Sequence, residues 1–118
     1  MSAASVPLLD QPELLYTDLI RINAQLQGDK AAAVCDDERL SWRDFHARTN
    51  QVANALLTRG LKRGERVCLV MNSSIPMFVL IWGVIKAGGV VVPLNVMMAG
   101  DSLALTIDDC DPRLLFAD

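Results

Sequence analysis

The chain has 118 residues, a formal net charge of −3, a positive mean hydropathy of +0.29, 52% hydrophobic residues and 21% charged residues. This length allows one domain at most. Its 11 Lys and Arg residues are scattered, which argues against nucleic-acid binding, since contacts to phosphates need clustered basic side chains. The composition places the chain at the apolar end of soluble proteins.

The N-terminal part predicts a helix and then a small hairpin. Residues 13–27 carry apolar side chains at helical spacing, which predicts an amphipathic helix lying on a surface. Residues 31–35 and 39–41 are short runs on either side of Asp36-Asp37-Glu38, so we expect two antiparallel strands.

A long helix is predicted after the hairpin. Ser41-Trp42-Arg43-Asp44 has the form of a capping box, in which the Ser41 hydroxyl and the Asp44 carboxylate each accept from a free backbone N–H. Gly60, followed by Leu61, is typical of a glycine C-cap with its hydrophobic contact.

The central segment, residues 66–95, predicts a strand, a crossover helix and a second strand. Residues 66–71 are a short apolar run that is typical of a strand buried on both faces. Ser74 and Pro76 begin the predicted helix 75–87, and Gly88-Gly89 ends it. Residues 90–92 form the next strand, and Pro93 limits its pairing. This order is typical of a parallel sheet.

The last part of the chain predicts a helix over residues 101–109, a stop at Pro112, and a third buried strand over 113–118. The fold class is therefore α/β, with parallel βαβαβ units, flanking helices and a small N-terminal hairpin.

The helix 75–87 is apolar on every side, so we expect it to be covered all round by a larger domain. The alternative is a transmembrane hairpin. Polar residues, Gly and Pro interrupt the apolar run before it reaches the ~20 residues that a spanning helix needs, which argues against this alternative.

The three cysteines, Cys35, Cys68 and Cys110, lack metal-ligand spacing and lie within or beside apolar runs. They are typical of reduced thiols in or near the core of a cytoplasmic protein. Residues 1–10 lack the basic patch and apolar core of a secretory signal, so we expect a cytoplasmic location.

Asn72, Ser73 and Ser74 are the candidate cofactor-binding residues. They follow the predicted strand 66–71 and precede the helix 75–87, a place where anions bind in open α/β sheets. The alternative, which the residue types favour, is that they only cap the helix. We identify no catalytic or metal-binding residue.

Other residues have structural interpretations that we prefer to functional ones. His46, the sole histidine, flanks an apolar stripe, so we expect a solvated or edge position. Lys86 matches the dipole at the end of its helix, and Trp82 belongs in the core. The acidic segment 108–111 lacks the spacing of a calcium loop and more simply solvates a helix end.

Short pieces of sequence with a fixed order and spacing run through residues 29–118. They are Asp29-Lys30-Ala31-Ala32, Leu40-Ser41-Trp42-Arg43-Asp44-Phe45, Asn50-Gln51-Val52-Ala53-Asn54-Ala55-Leu56-Leu57, Gly60-Leu61-Lys62-Arg63-Gly64-Glu65-Arg66-Val67, Asn72-Ser73-Ser74, Lys86-Ala87-Gly88-Gly89, Pro93-Leu94-Asn95 and Asp108-Asp109-Cys110-Asp111-Pro112-Arg113. In these pieces the chain resembles the N-terminal part of the acyl-activating, AMP-forming synthetases, the superfamily of acyl-CoA ligases, firefly luciferases and peptide-synthetase adenylation domains.

Two details qualify the resemblance. Pro93-Leu94-Asn95 is more similar to acyl-CoA ligases, because peptide-synthetase adenylation domains usually show Tyr in the strand and Asp in place of Asn95. Ala99-Gly100-Asp101-Ser102 departs from the family, which commonly has a Thr cap followed by Pro and Glu.

The resemblance implies ATP-dependent activation of a carboxylic acid to an acyl-adenylate, with Mg²⁺ neutralising charge, followed by transfer of the acyl group to coenzyme A. In the family, the phosphate loop, the acidic residue for the ribose and the catalytic Lys come later in the chain. Gly88-Gly89 precedes a strand rather than opening a helix, so it is not that loop. We therefore expect a fragment that cannot adenylate a substrate alone.

Three hypotheses follow. In the first, residues 1–28 are a lead-in with an amphipathic helix, and residues 29–118 are the N-terminal subdomain fragment of an acyl-CoA synthetase, whose partners are the remainder of the synthetase and its carboxylic-acid substrate. In the second, the chain is a stand-alone, non-catalytic α/β module that forms a homo-oligomer through its sheet edge and apolar helix. The third is the membrane hairpin.

Overall fold

A computed structural model of the chain describes residues 15–118. The elements, in chain order, are α1 (Tyr16–Gln27), β1 (Ala31–Cys35), β2 (Glu38–Ser41), α2 (Trp42–Thr58), β3 (Arg66–Val70), α3 (Ile75–Lys86), β4 (Val90–Pro93), α4 (Gly100–Cys110) and β5 (Leu114–Ala117). Every element was predicted with its type and order. Residues 13 and 14 of the predicted first helix, like residues 1–12 before it, lie outside the described residues.

The C-terminal end of α2 is held as the sequence predicts, and its N-terminal end forms one half of the predicted capping box: the described structure has no bond from the Ser41 N–H to the Asp44 carboxylate. The Ser41 hydroxyl accepts from the Asp44 backbone N–H at 3.1 Å, which is the first of the two bonds expected from a capping box. At the other end, Gly60 has φ 91°, and the Leu61 N–H donates to the Leu56 carbonyl at 3.0 Å. The left-handed glycine therefore turns the chain out of the helix and aims it at β3.

The main sheet has three parallel strands in the order β4-β3-β5, and β1 and β2 form a separate antiparallel pair. The central strand β3 is buried on both faces, as predicted, with Val67, Cys68 and Leu69 fully inaccessible. The prediction that the last strand is buried is wrong, since Leu115 in β5 is 44% exposed. β5 is an edge strand, and Leu115 lies on the face of the sheet opposite α2 and α3.

The core consists of two clusters of buried side chains. One lies between the sheet and the helices α2 and α3 and contains Val67, Leu69 and Val84. The other joins α1, the hairpin and the first turns of α2 and α3, where the rings of Phe45 and Phe78 stack with their centroids 4.7 Å apart. Both clusters use α3, which makes this helix the centre of the packing.

Residues 15–118 do not cover α3 all round by themselves, so its coverage by a larger domain stays a prediction. Ile75, Val79, Gly83 and Val84 are buried, but Pro76 and Ile85 are exposed, and the other apolar side chains of α3 are only half-buried. The helix packs on the sheet and on α2, which leaves its remaining side partly open.

Within residues 15–118, no helix has both the length and the apolar character that crossing a bilayer requires. The segment that suggested a membrane hairpin forms β3, α3 and β4 instead, and α3 has 12 residues.

Candidate functional site

The carboxyl ends of β3 and β4 form a crevice because their connections leave on opposite faces of the sheet. Val67 and Leu69 pack with α3 on one face. Arg66 and Cys68 alternate with them and so face the other side, where the Arg66 side chain donates to the Cys110 carbonyl of α4. Helices on opposite faces make the space between these two strand ends a topological switch point, the usual ligand position in open α/β sheets.

The crevice at this switch point has a volume of about 290 Å³. Met71, Asn72 and Ser73 border it after β3, and the segment 93–96 borders it after β4. The exposed side chains of Asn72, Ser73 and Asn95 supply its polar groups. It is therefore the candidate site, and two of the three predicted cofactor-binding residues line it.

The third predicted residue, Ser74, caps α3. Its hydroxyl accepts from the Met77 N–H at 3.2 Å, and its carbonyl accepts from the Phe78 N–H at 3.1 Å. The neighbouring Asn72 N–H donates to an Asp118 carboxylate oxygen at 3.1 Å. These contacts occupy backbone donors that an anion would use and place a negative charge beside them, which favours capping over anion binding.

Asn95 holds the second wall of the crevice. Its side-chain oxygen accepts from the Met97 N–H at 2.9 Å, which closes a local turn after β4. This leaves the Asn95 amide nitrogen as a donor at the crevice. The described walls of the crevice therefore offer amides and a hydroxyl, groups that can orient a polar ligand but carry no general base.

Gly88-Gly89 does not fit a phosphate loop, as the sequence indicates. The Gly88 N–H donates to Ile85 O and the Gly89 N–H to Val84 O, both at 3.0 Å, where they close the end of α3. Both donors are thus used inside the fold. Within residues 15–118, no cluster of three or more His, Cys, Asp or Glu side chains could hold a metal ion, and the acidic residues of segment 108–111 are exposed at the end of α4.

All three cysteines are free thiols. Cys68 is buried in β3, and Cys35 and Cys110 are half-buried. Burial, followed by the neighbouring Cys110, raises the pKa of the Cys68 thiol, although Arg66 opposes the shift. A raised pKa keeps this sulfur protonated and unreactive.

A polar cluster that the sequence did not predict joins α2 to the end of α3. The Lys86 ammonium lies 3.1 Å from His46 Nδ1 and donates to Asn50 Oδ1 at 2.9 Å. His46 is half-buried, which agrees with the edge position expected from the sequence. The sequence did not predict its contact with Lys86. These two residues are 40 positions apart. His46 lies in none of the family-like pieces, and the piece Lys86-Ala87-Gly88-Gly89 gives no sign of a partner for Lys86, so only the packing of α2 on α3 reveals the pair.

Burial and charge alter the protonation of this cluster. Burial lowers the pKa of the Lys86 ammonium. Burial, then Lys86, then Arg21 lower the pKa of His46, because two nearby cations disfavour a third. His46 is therefore held neutral, the form in which Nδ1 can accept from Lys86.

Comparison with known proteins identifies the scaffold around the crevice. Residues 20–118 match the family model described as AMP-binding enzyme. The chain is 36% identical over 110 residues to malpinin synthetase from Mortierella alpina, covering 92% of this chain and 1% of that protein. It is 34% identical over 95 residues to a 3-hydroxybenzoate–CoA/4-hydroxybenzoate–CoA ligase from Thauera aromatica, covering 80% of this chain and 18% of that ligase.

Solved structures show the same fold. A Rhodopseudomonas palustris protein assigned as a long-chain-fatty-acid CoA ligase superposes with a TM-score of 0.86 at 31% identity, over 89% of this chain and 27% of that one. An artificially fused adenylation–PCP di-domain of a Klebsiella oxytoca NRPS superposes with a TM-score of 0.80 at 20% identity, over 86% of this chain and 19% of that one, which shows the fold alone. The chain thus spans about a quarter or less of each of these relatives. It belongs to the AMP-binding enzyme family and corresponds to an N-terminal segment of those adenylate-forming enzymes.

Proposed function

We propose that this chain is the N-terminal part of an ATP-dependent acyl-CoA synthetase. In the proposed parent reaction, a carboxylate attacks the α-phosphate of ATP, which forms an acyl-adenylate and releases pyrophosphate, with Mg²⁺ neutralising charge. The thiol of coenzyme A then attacks the acyl carbon and AMP leaves. A cytoplasmic location, where ATP and coenzyme A are both present, is part of this proposal.

The observation that carries the choice of acyl-CoA synthetase is the structural likeness. The TM-score of 0.86 at 31% identity is with a protein assigned as a CoA ligase. The Klebsiella NRPS di-domain, at 20% identity, shows the fold alone and does not weigh for either parent. The hydroxybenzoate–CoA ligase supports the same choice. Malpinin synthetase and gramicidin S synthase 1, at 36% and 30% identity, favour a peptide-synthetase adenylation domain as the competing parent.

Within that parent, residues 15–118 supply a scaffold. The sheet places Asn72, Ser73 and Asn95 at the switch-point crevice, where they form one polar wall of a ligand site. We place the phosphate loop, the ribose-binding acid and the carboxylate-orienting Lys outside this chain. In this proposal the catalytic residues of the parent enzyme all lie outside the 118 residues of this chain.

Two assays test the proposal. The 118-residue chain, mixed with ATP, Mg²⁺ and a panel of fatty and aromatic acids, should release no pyrophosphate, and clear turnover would show that it is not a fragment. A polypeptide translated from the longer reading frame should exchange pyrophosphate into ATP with one of these acids and then form a thioester with coenzyme A. Acyl transfer to a carrier-protein phosphopantetheine instead of coenzyme A would favour the peptide-synthetase parent.

The second candidate function is the stand-alone oligomerising module. It is favoured by the two edges of the three-stranded sheet, β4 and β5, which pair with no further strand within residues 15–118, and by the exposed side chains of Val90 and Leu115 on them. It predicts a stable oligomer that Leu115→Lys dissociates, whereas Leu26→Lys, on the exposed side of α1, leaves it intact. Light scattering that finds a monomer at all concentrations would remove this candidate.

A further inference from the structure

Lys86 is a partly buried cation without a counter-charge in the described part of the chain. Between residues 15 and 118 the ion pairs are Arg21–Asp18 and Arg43–Asp29, and Lys86 belongs to neither. Its ammonium contacts His46 Nδ1, Asn50 Oδ1 and, at 3.5 Å, the His46 carbonyl, all of them neutral acceptors. Neutral acceptors satisfy the hydrogen bonds of an ammonium group but leave its charge uncompensated.

The ammonium lies at a polar cleft between three helices. The cleft has a volume of about 470 Å³ and is bordered by Thr17, Asp18 and Arg21 from α1, by His46, Asn50 and Asn54 from α2, and by Lys86 from α3. This surface is separate from the switch-point crevice, whose lining residues are entirely different.

The field in the cleft is positive. Arg21 meets Asp18 only at 4.0 Å, a distance at which the pair is exposed and weak. Burial is the main cause of the lowered His46 pKa, and the charges of Lys86 and then Arg21 lower this pKa further. Two cations therefore face a space that holds one loosely paired carboxylate, and amide and hydroxyl groups stand beside them as further donors.

We propose that this cleft between α1, α2 and α3 binds a phosphate group, with Lys86 and Arg21 as its charged contacts and Asn50 and Asn54 as polar ones. A phosphate dianion matches the site because it offers several acceptor oxygens to donors that arrive from three helices, and because its charge offsets both cations. The same chemistry could come from free inorganic phosphate or from a phosphate monoester, and the test separates these two sources.

His46 is a built-in reporter of this binding. It is the only histidine, so its C2–H proton resonance is assigned without ambiguity. A bound anion beside Lys86 and Arg21 offsets the field that lowers the His46 pKa, so this pKa should rise. The experiment titrates His46 by NMR in sodium chloride, in inorganic phosphate and in glycerol 3-phosphate, all at one ionic strength.

We expect both phosphate compounds, and not chloride, to raise the pKa of His46 in a saturable way. Tighter binding of glycerol 3-phosphate would assign the cleft to a phosphate monoester, and equal or weaker binding would assign it to the free ion. Lys86→Met should weaken phosphate binding by about tenfold or more, since the partly buried positive charge that attracts the anion is lost. Lys30→Met, an exposed lysine outside the cleft, is the matched control and should bind as the parent chain does.

Arg21→Gln is a second variant that keeps the test valid if Lys86→Met fails to fold. Arg21 is exposed and lies on α1, so its substitution leaves the packing of α2 on α3 intact. It should also weaken binding, although less than Lys86→Met. A response to phosphate no larger than the response to chloride would overturn the proposal. Equal affinity for phosphate in the parent chain, in Arg21→Gln and in Lys30→Met would also overturn the proposal.

Discussion

Val52 on α2 packs directly against the backbone of Gly83 on α3. A Cβ atom placed on Gly83 would lie 2.6 Å from the Val52 Cβ, well inside van der Waals contact. Gly83 is buried, and α2 and α3 make the most extensive helix–helix contact of the described chain. The glycine therefore sets how closely these two helices approach.

We expect Gly83→Ala to destabilise the fold. Alanine favours the helix by up to about 1 kcal/mol relative to glycine, but overpacking a tight contact costs about 1–3 kcal/mol. The expected net loss is about 1–2 kcal/mol in the free energy of unfolding, measured by urea denaturation. In a Val52→Ala background the same substitution should cost less, because the colliding side chain is gone.

Gly100→Ala is the control for this pair, since a Cβ at Gly100 meets no atom within 4 Å. It should leave stability unchanged or slightly increased. A Gly83→Ala variant as stable as the Gly100→Ala variant would show that the helices separate without cost.

Ser74→Ala tests whether Ser74 is a capping residue. The substitution removes the acceptor of the Met77 N–H, and we expect a loss of about 1 kcal/mol in the free energy of unfolding. Ser74→Asp retains an acceptor at the cap and should recover most of that loss. Ser73→Ala, at the exposed neighbouring hydroxyl, should stay within about 0.5 kcal/mol of the parent chain. Equal effects of Ser73→Ala and Ser74→Ala would contradict the capping role.

The stability of the chain should fall as the pH falls through the titration of His46. The groups that face His46 are Lys86 on α3 and Arg21 and Asp18 on α1, and the two cations act with burial to hold its folded pKa below the ordinary value of 6.5. As the pH falls, the unfolded chain binds the proton first, so the free energy of unfolding decreases from above pH 6.5 down to the folded pKa and then levels off.

The measurement for His46 is the urea midpoint between pH 7.5 and pH 5, compared with His46→Gln, which retains hydrogen-bonding groups but does not titrate. Carboxylates titrate in both proteins, so the difference between the two curves isolates the histidine. We expect His46→Gln to lose less stability over this range. Parallel curves would mean that the Lys86 contact does not depend on the neutral imidazole.

The fold could be predicted from sequence largely because its signals are local. Ser74 begins α3 and Gly60 ends α2 through contacts within a few residues, and the run of Val67, Cys68 and Leu69 marks a strand with two covered faces. The packing partners that bury or expose each element are distant in sequence, so local patterns do not predict them. The exposure of Leu115 depends on what packs against its face of the sheet at the edge strand, and the sequence of β5 does not contain that information.

The sites divide in the same way. Asn72 and Ser73 could be placed at a strand end from chain order alone, because the carboxyl ends of parallel strands share one edge of the sheet. The sequence distinguishes Asn95 only by its resemblance to one branch of the family. Its position across the crevice from Asn72 follows from the parallel pairing of β3 with β4, which the structure shows. The contact between His46 and Lys86 depends on the rotation of two helices about their axes, which the close approach of Val52 to the Gly83 backbone makes specific.

Asn95 offers a last prediction, because the resemblance to peptide-synthetase adenylation domains would put Asp at this position. The Met97 N–H needs only a side-chain oxygen, which both residues supply. Asn95→Asp should therefore change the free energy of unfolding by no more than about 0.5 kcal/mol, whereas Asn95→Ala should cost about 1 kcal/mol in a urea titration. If Asn95→Asp destabilises the chain as much as Asn95→Ala, the amide nitrogen has a structural partner. If it does not, the turn tolerates either residue, and the choice between Asn and Asp in the two branches reflects what the exposed end of the side chain meets in the crevice.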